Sequence, residues 1–589
     1  MKRTYYCGEL RRENIGEEVC LNGWVQKTRD LGHFIFVDLR DRTGISQIVF
    51  KKEENEELYE KAKQLKSEYV IGVKGKVEER ESINKEIPTG EIELIVEELK
   101  VYSKAQTPPI YVKDDDNVSE EMRLKYRYLD LRKPKMQNIL HQRAEIVKAF
   151  RDFLHDDGFI EVETPFLGKP TPEGARDYIV PSRLSMNGFY ALPQSPQLFK
   201  QMLMIGGLDK YYQIVKCFRD EDLRANRQPE FTQVDIEMSF VDEEDVMHMN
   251  EKLIQYLFKK IKNIDIELPL PRMTFKDAMD RFGSDKPDLR YGFEIKDISE
   301  LADIIDFNLF KDSVAEGKEI RSINFNGLSS AYSRKQIDKL TSFVKGIGAS
   351  GLIWFRYENG EINSSINKFL NDDFNNKLIE RLELNDGDLA LVIIDKNPKV
   401  LELLGSLRTH IAKDHVEFKE DDFAITWINE FPMFEYDEEE DRYVAKHHPF
   451  THPIEEDLDK IETNPHDMKA KAYDLVINGD EIGGGSIRIH DSELQNRIFS
   501  ALKLTKEDIE NKFGFFVNSL QYGTPPHGGI AYGLDRLVMT LLNVDNIKDV
   551  IAFPKTQSAS DLLTGAPSLI DKEQLDELNI EFIENKIEE

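Results

Sequence analysis

One loop of this chain combines arginines and carboxylates in a way that only a few folds can use. Between apolar runs at 211–217 and 231–240, which alternate as two strands do, the acids Asp220, Glu221 and Asp222 form a single run. Its arginines are Arg219, Arg224 and Arg227. Guanidinium groups bind phosphate oxygens bidentately, and carboxylates suit a divalent metal. The segment predicts a loop between two strands that holds a polyphosphate together with a metal ion.

A second segment far downstream complements the first. Gly533-Leu534-Asp535-Arg536 places an arginine at the start of an apolar, helix-like run at 537–542. The sequence contains neither the G-x-x-x-x-G-K-[ST] loop of P-loop enzymes nor a G-x-G-x-x-G after a strand. Together the two segments predict an ATP site of a different kind.

Length and charge narrow the class of protein further. A chain of 589 residues is expected to form three or four domains, and it has no apolar run of the ~20 residues that a membrane helix needs. No apolar signal core follows Met1, so we expect a cytoplasmic protein without a membrane partner. The three cysteines lack metal-ligand spacing and are interpreted as reduced thiols. The net charge of -31 argues against a nucleic-acid partner, yet residues 1–107 carry 19 basic and 21 acidic side chains, a net of only -2.

The first 107 residues predict a small barrel. Strand-like alternation occurs at 19–27, 32–39, 45–50, 69–77 and 90–101, and a helical stretch at 56–64 separates the third strand from the fourth. This order matches an OB fold, which commonly binds single-stranded nucleic acid or oligosaccharide. Phe34 and Phe36 would lie on one face, where aromatic rings can stack on bases. A barrel without any ligand is the alternative.

The remaining chain divides at changes of pattern. We expect a hinge at 108–135, and then a domain at 136–284 that contains an amphipathic helix (141–156) and a strand (159–165). A self-contained α+β insertion is predicted at 285–415, and the interrupted domain resumes at 416–589. The predicted fold is therefore multidomain α+β, with an N-terminal OB barrel and an antiparallel-sheet domain that carries an insertion.

Three further segments carry groups suited to a small acidic substrate. Ser195, Gln197 and Lys200 open a predicted helix, and a polar loop at 171–178 contains Glu173 next to a glycine hinge. His447 is followed at once by His448, but no third ligand has the spacing that zinc requires. Each segment alone is also compatible with an ordinary exposed helix, turn or strand.

A fourth segment predicts a metal site. Asp474 and Glu481 flank Asn478-Gly479, a dipeptide typical of a two-residue hairpin. Across such a hairpin the two carboxylates can face one another, and two oxygen ligands together with substrate phosphates suit Mg²⁺. Three glycines at 483–485 would let a ligand approach the backbone. An exposed acidic hairpin is the alternative.

In this order the segments resemble the class II aminoacyl-tRNA synthetases, specifically the bacterial-type aspartyl group of subclass IIb. The resemblance covers nearly the whole chain: 141–165 is similar to motif 1, 211–240 to motif 2 and 528–542 to motif 3. Tyr532 stands where phenylalanine is more usual, and Pro170 before the polar loop is unusual.

The resemblance implies an aspartate–tRNA ligase that first makes aspartyl-adenylate from ATP and then transfers aspartate to the 3′ end of tRNA(Asp). It implies Arg219, Glu221 and Arg536 as catalytic residues, and Asp474 and Glu481 as Mg²⁺ ligands. The implied ATP-binding residues are Arg219, Asp220, Glu221, Gln228, Phe231, Glu481, Gly533, Leu534, Asp535 and Arg536. The implied L-aspartate-binding residues are Glu173, Ser195, Gln197, Lys200, Arg219, Asp235, His447 and Arg488. Lysyl- and asparaginyl-type relatives lack a lysine at the position of Lys200.

For tRNA, the resemblance implies contacts from Arg29, Leu31, Phe36, Gln47 and Glu93, and a homodimer built on motif 1. Members with relaxed tRNA specificity tend to carry histidine where this chain has Leu31, so we expect discrimination against tRNA(Asn). A non-discriminating enzyme for tRNA(Asp) and tRNA(Asn) is the first alternative. A paralogue that charges no tRNA and a non-catalytic OB-fold protein that binds RNA are weaker ones, since the OB domain, Arg219, Glu481 and Arg536 are all present.

Overall fold

The structure is a computed structural model that describes residues 1–114, 116–170, 175–223, 226–437 and 441–582. The chain forms two compact units. The first comprises Met1–Glu145, Leu223–Gln228 and Asn546–Gln574, and the second comprises Ile146–Asp222, Pro229–Asp545 and Leu575–Glu589. Among the described residues, no helix has both the length and the apolar content to cross a bilayer.

The first unit begins with a closed barrel of five strands in the order β1-β2-β3-β5-β4. Its elements are β1 (Glu18–Asp30), β2 (Phe34–Asp41), β3 (Gly44–Lys51), α1 (Glu56–Ala62), β4 (Val70–Glu79) and β5 (Ile92–Ser103). Alternate residues such as Ile35, Val37 and Leu39 point inward and are fully buried, as a period of two requires. The Asn55 side chain caps α1 by accepting a hydrogen bond from the Leu58 amide. The predicted OB barrel is confirmed.

Three helices follow the barrel, and buried charges hold the first two of them in place. They are α2 (Glu120–Lys125), α3 (Arg127–Asp130) and α4 (Pro134–Asp156). Asp130 is completely buried and accepts hydrogen bonds from Arg123 at 3.0 Å and from Arg127 at 2.6 Å. Lys133 lies 3.1 Å from the same carboxylate. Three cations around one buried acid satisfy its charge, which an unpaired buried carboxylate could not achieve.

The second unit opens with short and long strands around three helices. The strands are β6 (Ile160–Glu161), β7 (Ile179–Pro181), β8 (Phe189–Ala191), β9 (Lys210–Phe218), β10 (Glu230–Ser239) and β11 (Arg272–Thr274). The helices are α5 (Gln197–Ile205), α6 (Glu243–Lys262) and α7 (Phe275–Phe282). Helix α6 begins with a reciprocal capping box between Asp242 and Asp245 and ends at Asn263 in the left-handed conformation.

The insertion forms its own antiparallel sheet, with strand order β12-β13-β16-β14-β15. Its strands are β12 (Ile295–Asp297), β13 (Glu319–Phe325), β14 (Ile353–Glu358), β15 (Glu361–Ser364) and β16 (Asp388–Asp395). Its helices are α8 (Asn308–Ala315), α9 (Arg334–Gly346), α10 (Asp372–Leu382) and α11 (Lys399–His415). Apolar residues of the central β16 are buried on both faces, and they pack into two separate clusters.

The chain after the insertion completes the main sheet. Its strands are β17 (Ile425–Asn429), β18 (Phe434–Asp437), β19 (Arg442–Ala445), β20 (Ala472–Ile477), β21 (Asp480–Ile487) and β22 (His527–Gly533). Its helices are α12 (Ser492–Ala501), α13 (Lys506–Ser519), α14 (Leu534–Leu542), α15 (Ile547–Val550) and α16 (Lys572–Leu578). The eight strands lie in the order β11-β17-β20-β21-β22-β10-β9-β6 and are antiparallel except for the outermost pair at each edge. The predicted antiparallel sheet with an inserted α+β domain is confirmed.

Two elements differ in length from the sequence prediction. Helix α4 begins at Pro134 rather than at 141, because proline is well tolerated in the first turn, where its missing N–H has no partner to lose. The strand predicted at 159–165 is only two residues long, Ile160–Glu161. Pro165 cannot donate a hydrogen bond to a neighbouring strand, and the pairing to β9 ends well before it.

Candidate active site

Four fully buried charges form the centre of the candidate site in the second unit. Lys200 on α5 lies 2.5 Å from Asp235 and 3.3 Å from Glu237, both on β10. Arg488, which follows β21, donates from Nε to Glu237 at 3.0 Å. None of the four side chains is more than 2% exposed. Asp235 and Glu237 reach the same place because residues two apart on a strand share one face.

The cations decide the charge state of Glu237. Burial alone would raise its pKa, but Arg488 and Lys200 outweigh burial and hold the pKa below the ordinary value of 4.5. At Asp235 burial prevails over Lys200, and the pKa is raised. Oδ2 of Asp235 is buried and has no hydrogen-bond partner among the described residues. The arrangement is a balanced cluster of two cations and two acids, with hydrogen-bonding capacity left over.

Two adjacent histidines flank this cluster in different ways. Arg488 donates from Nη1 to Nε2 of His448 at 2.6 Å. His447 instead packs edge-on against Phe431, with 4.9 Å between the ring centroids. Loss of hydration, aided by the cations Lys446 and Arg488, lowers the pKa of His447 to about 4. His447 is therefore neutral at pH 7, and it is His448 that contacts the arginine.

The helix that carries Lys200 also presents the polar residues predicted beside it. The Ser195 hydroxyl accepts a hydrogen bond from the Gln197 amide at 3.4 Å. The side chain of Gln197 is buried, and its Nε2 has no partner in the described part of the chain. Ser195 also lines a cavity of ≈ 480 Å³ together with Asp177 and Phe199. Glu173, predicted for the same site, lies outside the described residues.

The strands predicted to hold the phosphates, β9 and β10, form a hairpin with Arg219 at the end of β9. The Arg219 guanidinium lies 5.1 Å from the centre of the Phe231 ring. The Arg219 amide donates to the carbonyl of Pro229, and the next amide, that of Asp220, donates to the carbonyl of Arg176. These bonds hold the backbone on either side of the arginine, so the guanidinium extends from a rigid base.

Helix α14 brings the second arginine to the same sheet. Gly533 is the residue before this helix, and Leu534 is its first residue. Asp535 is buried and accepts a hydrogen bond from the amide of Thr232 at 2.8 Å. Arg536 donates to the backbone carbonyl of Glu481. The start of α14 is thus tied to both β10 and β21.

Glu221 and Gln228, which were also predicted to bind ATP, belong to different units. Glu221 lies in the loop after β9 and is half-buried. Gln228 belongs to the first unit, where its side chain exchanges two hydrogen bonds with the backbone of Lys555, at 2.8 and 3.1 Å.

The predicted metal ligands lie on the hairpin β20–β21. Asn478 and Gly479 form its turn with φ of 53° and 86°, as a turn with two left-handed residues requires. A Cβ added to Gly484 would lie 2.6 Å from Oδ1 of Asp474 and 3.5 Å from Oε1 of Glu481, so the glycine leaves space between the two carboxylates. Burial and the nearby Glu481 raise the pKa of Asp474 well above its ordinary value. Two close carboxylates of this kind fit a divalent cation, although the described residues contain no cluster of three or more potential ligands.

A second candidate site lies on the barrel of the first unit. Arg29 donates to Gln47 at 3.1 Å, and Gln47 donates to Glu93 at 2.7 Å. The Arg29 guanidinium lies 5.9 Å from the Phe36 ring, and Leu31 is 68% exposed. All five residues line one pocket of ≈ 580 Å³. Burial raises the pKa of Glu93, because the hydrogen bond from Gln47 and the charge of Arg80 offset it only in part.

Two residues that contact the buried cations, Glu237 and His448, were not predicted from the sequence. Glu237 bridges Lys200 and Arg488, and its signal was an acid two positions after Asp235 that stands between the apolar residues Ile236 and Met238. His448 was visible beside His447, but adjacent residues on an extended segment point to opposite sides, and the sequence did not tell which one faces Arg488.

Comparisons with known proteins agree with this geometry. Residues 119–557 match the family described as tRNA synthetases class II (D, K and N), and residues 19–102 match the OB-fold nucleic acid binding domain. An aspartate–tRNA ligase from Clostridium kluyveri is 55% identical over 99% of this chain and 98% of its own length. An aspartate–tRNA(Asp/Asn) ligase from Caldanaerobacter subterraneus subsp. tengcongensis is 54% identical over 99% and 98%. The crystal structure of asparaginyl-tRNA synthetase from Pyrococcus horikoshii with asparaginyl-adenylate superposes with a TM-score of 0.59 at 22% identity, covering 94% of this chain and 98% of that one, which shows a shared fold.

Proposed function

This chain belongs to the class II tRNA synthetases of the aspartate, lysine and asparagine type, and we propose that it is the aspartate–tRNA ligase of its cell. It activates L-aspartate with ATP, releases pyrophosphate, and transfers aspartate from the adenylate to the 3′ end of tRNA(Asp). The barrel of residues 1–107 serves as the anticodon-binding domain. The enzyme works in the cytoplasm as a homodimer.

The observation that carries the proposal is the hydrogen-bond count at Lys200 and Arg488. Lysine has three N–H donors and arginine has five. The hydrogen bonds within the described residues use one donor of Lys200, to Asp235, and four of Arg488, to Glu237, His448 and Ser486. Lys200 also forms an ion pair with Glu237 at 3.3 Å. Each cation therefore keeps at least one donor for a ligand, and donors on two cations suit a carboxylate such as the side chain of aspartate.

The same count explains why asparagine and lysine are poor substrates. The amide of asparagine carries no negative charge, and its NH2 group donates where the second carboxylate oxygen of aspartate would accept, so one of the cations would face a donor instead of an acceptor. The ammonium group of lysine would meet two cations. Leaving a buried polar group unpaired costs about 1–3 kcal/mol, and more for a charged group. Selection of aspartate therefore follows from charges that the fold has already buried and oriented.

For the first step, we propose that Arg219 binds the α-phosphate of ATP and the reacting carboxylate of aspartate. Its charge stabilises the negative charge that develops at phosphorus. Glu221 holds the adenine end of ATP, Asp220 is a further proposed contact to ATP, and Phe231 and Arg536 stack on the two faces of the base. The ammonium group of aspartate is held by Glu173, Ser195, Gln197 and Asp235. No side chain acts as a nucleophile, so positioning and charge supply the rate.

Asp474 and Glu481 fit Mg²⁺, which when bound would neutralise phosphate charge beside Arg219. The two side chains supply oxygen ligands, which this ion prefers, and the missing side chain of Gly484 leaves room for phosphate oxygens. The raised pKa of Asp474 is consistent with a carboxylate that gains a strong partner only when the metal and ATP bind.

For the tRNA, we propose discrimination in favour of tRNA(Asp). Leu31 stands at the pocket of Arg29, Phe36, Gln47 and Glu93 and offers no hydrogen-bonding group. A non-discriminating enzyme is the second candidate, because a relative 54% identical over nearly its whole length is named as a ligase for both tRNAs.

The test is aminoacylation with labelled aspartate and purified tRNA(Asp) or tRNA(Asn) transcripts. The proposal predicts efficient charging of tRNA(Asp) and at least about 100-fold weaker charging of tRNA(Asn) in kcat/KM, a difference of about 3 kcal/mol. Equal charging of the two tRNAs would establish the non-discriminating alternative. Failure to charge either tRNA would refute the ligase assignment.

A further inference from the structure

A second basic pocket lies in the first unit, where the barrel meets the helices that follow it. It has a volume of ≈ 360 Å³, and four of its lining side chains are arginines: Arg3, Arg40, Arg42 and Arg132. Asp41 is the acid that lines it. Such a local excess of positive charge contrasts with the net charge of -31 of the whole chain. The pocket shares no lining residue with the barrel pocket of Arg29 and Glu93.

The floor of this pocket is built from residues that point away from the barrel core. Trp24 on β1 and Arg40 on β2 are paired across the two strands, and their neighbours Val25 and Leu39 are fully buried inside the barrel. Arg40 is nevertheless only 4% exposed. Arg132, which lies between α3 and α4, covers the Trp24 ring at 5.1 Å. An outward-facing arginine has thus been buried by the segment that follows the barrel.

Buried donors remain unsatisfied at this floor. Glu68 accepts two hydrogen bonds from Nη2 of Arg40, at 2.9 and 3.0 Å, and one from Arg132 at 2.8 Å. Nη1 of Arg40 and Nε1 of Trp24 have no hydrogen-bond partner among the described residues. Buried donors without partners are uncommon because each costs about 1–3 kcal/mol. Both belong to side chains that line the same cavity.

The acid in the pocket is already fully engaged. One oxygen of Asp41 accepts from the Cys7 amide at 2.8 Å, and the other accepts from the amide and the hydroxyl of Thr43 at 2.9 and 2.7 Å. At the rim, Arg3 and Arg42 lie over the ring of Tyr6, at 4.4 and 4.9 Å from its centre. Asp41 is therefore engaged by Cys7 and Thr43, and Arg3 lies 3.9 Å from it. Arg3 also donates to the carbonyl of Asn22 at 2.8 Å, and Arg42 donates to the Tyr6 hydroxyl at 3.3 Å.

We propose that this pocket is a phosphate-binding site. Guanidinium groups that approach from several sides match the tetrahedral oxygens of a phosphate, and a planar carboxylate would engage fewer of them. The volume admits a phosphate together with part of the sugar that carries it. The phosphate belongs either to the backbone of the bound tRNA, which rests on the proposed function, or to a free nucleotide or inorganic phosphate.

The test compares the full-length protein with the double variant Arg3→Gln/Arg42→Gln, which changes only the rim. The control is Lys61→Gln/Lys63→Gln, which removes the same charge from exposed positions at the C-terminal end of α1 in the same barrel. Aspartate-dependent ATP–pyrophosphate exchange without tRNA should be unchanged in both variants, and its absence in the unaltered protein would refute the proposed function rather than this inference. Melting temperatures within about 3 °C of each other show that both variants are folded.

Two binding measurements distinguish the sources of the phosphate. If tRNA supplies it, the dissociation constant for tRNA(Asp) rises roughly tenfold in the rim variant alone, and the slope of log K against log[salt] falls by about 1 to 2. If a free phosphate fills the site, inorganic phosphate or AMP changes the Trp24 fluorescence of the unaltered protein but not of the rim variant. The protein with Trp24→Phe identifies that signal, because the chain has only two other tryptophans. Unchanged tRNA binding and salt slope, together with no fluorescence response, would overturn the proposal.

Discussion

Two glutamates, one in each unit, show how differently this protein uses burial. Glu237 is fully buried and its pKa is lowered, because Arg488 and Lys200 outweigh the loss of hydration. Glu93 in the barrel pocket is only half-buried and its pKa is raised, because burial prevails over the hydrogen bond from the neutral Gln47 and the charge of Arg80. Depth alone would predict the opposite order. The partners of a carboxylate, rather than its depth, decide its charge.

The difference matches what each site has to recognise. The cluster around Glu237 selects a small charged substrate, so its charges are fixed before the substrate binds, and most donors of Arg488 already have partners within the protein. The barrel pocket combines an exposed Leu31, the Phe36 ring and an amide–carboxylate pair, which suits recognition of bases by stacking and hydrogen bonds. Removing a charge should therefore damage the first site severely and the second only moderately.

The largest effect is expected for Lys200→Met. Removing this cation leaves Arg488 as the remaining buried cation beside Asp235 and Glu237. Breaking such a buried ion pair costs about 4 kcal/mol of interaction free energy. The kcat/KM for aspartate in ATP–pyrophosphate exchange should fall about 10³-fold. The control Lys210→Met removes an exposed lysine of β9 and should stay within about twofold. A loss of less than tenfold in Lys200→Met would show that the cluster does not hold the substrate.

Next in size is Glu237→Gln, which keeps the shape of the side chain but removes its charge. Arg488 loses its charge-assisted bonds, and we expect kcat/KM for aspartate to fall about 100-fold, or about 3 kcal/mol. Because Glu237 acts by orienting Arg488, the KM for aspartate should rise while the KM for ATP stays constant. Glu161→Gln, at an exposed pair with Arg151, is the matched control. Equal changes in both KM values would indicate general damage to the fold.

In the barrel, Phe36→Leu should have a smaller effect confined to tRNA. Stacking of one base on an aromatic ring contributes about 1–3 kcal/mol, so kcat/KM for tRNA(Asp) is expected to fall roughly tenfold. Exchange without tRNA should not change. If Phe36→Leu reduced exchange as much as aminoacylation, this would contradict the claim that the barrel pocket acts only on tRNA.

A still smaller effect is expected for Leu31→His, which adds a hydrogen-bonding ring to the barrel pocket. The ratio of kcat/KM for tRNA(Asn) to that for tRNA(Asp) should rise about fivefold, close to 1 kcal/mol. Leu31→Met, which adds no strong hydrogen-bonding group, should leave the ratio unchanged. The same rise in both variants would mean that the size of residue 31, and not its chemistry, controls the choice of tRNA.

The smallest expected effect is that the KM for tRNA depends on pH more strongly than ATP–pyrophosphate exchange does. Glu93 has a raised pKa and Glu237 a lowered one, so as the pH falls from 7 to 5 Glu93 takes up a proton first. The KM for tRNA should then rise about two- to threefold while the contribution of Glu237 to exchange is retained. With Glu93→Gln the KM for tRNA should lose this dependence. A KM for tRNA that still rises in that variant would assign the effect to another group.

Local chemistry explains which parts could be predicted from the sequence. The barrel strands follow from alternation of period two, and the turn between β20 and β21 follows from Asn478-Gly479, whose backbone takes the expected left-handed conformations. The pair of Asp474 and Glu481 depends on that turn, so the sequence could place both carboxylates together.

Long-range pairing explains what could not be predicted from the chain itself. Glu237 and Arg488 are 251 residues apart, and no local pattern joins them. The contact of His448 with Arg488 likewise joins two segments that are 40 residues apart in the chain. The sequence pattern singled out Lys200 and the family resemblance implied Arg488, but only the folded chain shows that both cations already contact acids of β10.

The most direct measurement is amino-acid-dependent ATP–pyrophosphate exchange with the purified protein and Mg²⁺, in the absence of tRNA. We predict exchange with aspartate, and at least about 10³-fold lower kcat/KM with asparagine or lysine, because only a carboxylate matches both the positive charge and the remaining donors of Lys200 and Arg488. Comparable exchange with asparagine or lysine would contradict the central claim that these two buried cations select the substrate.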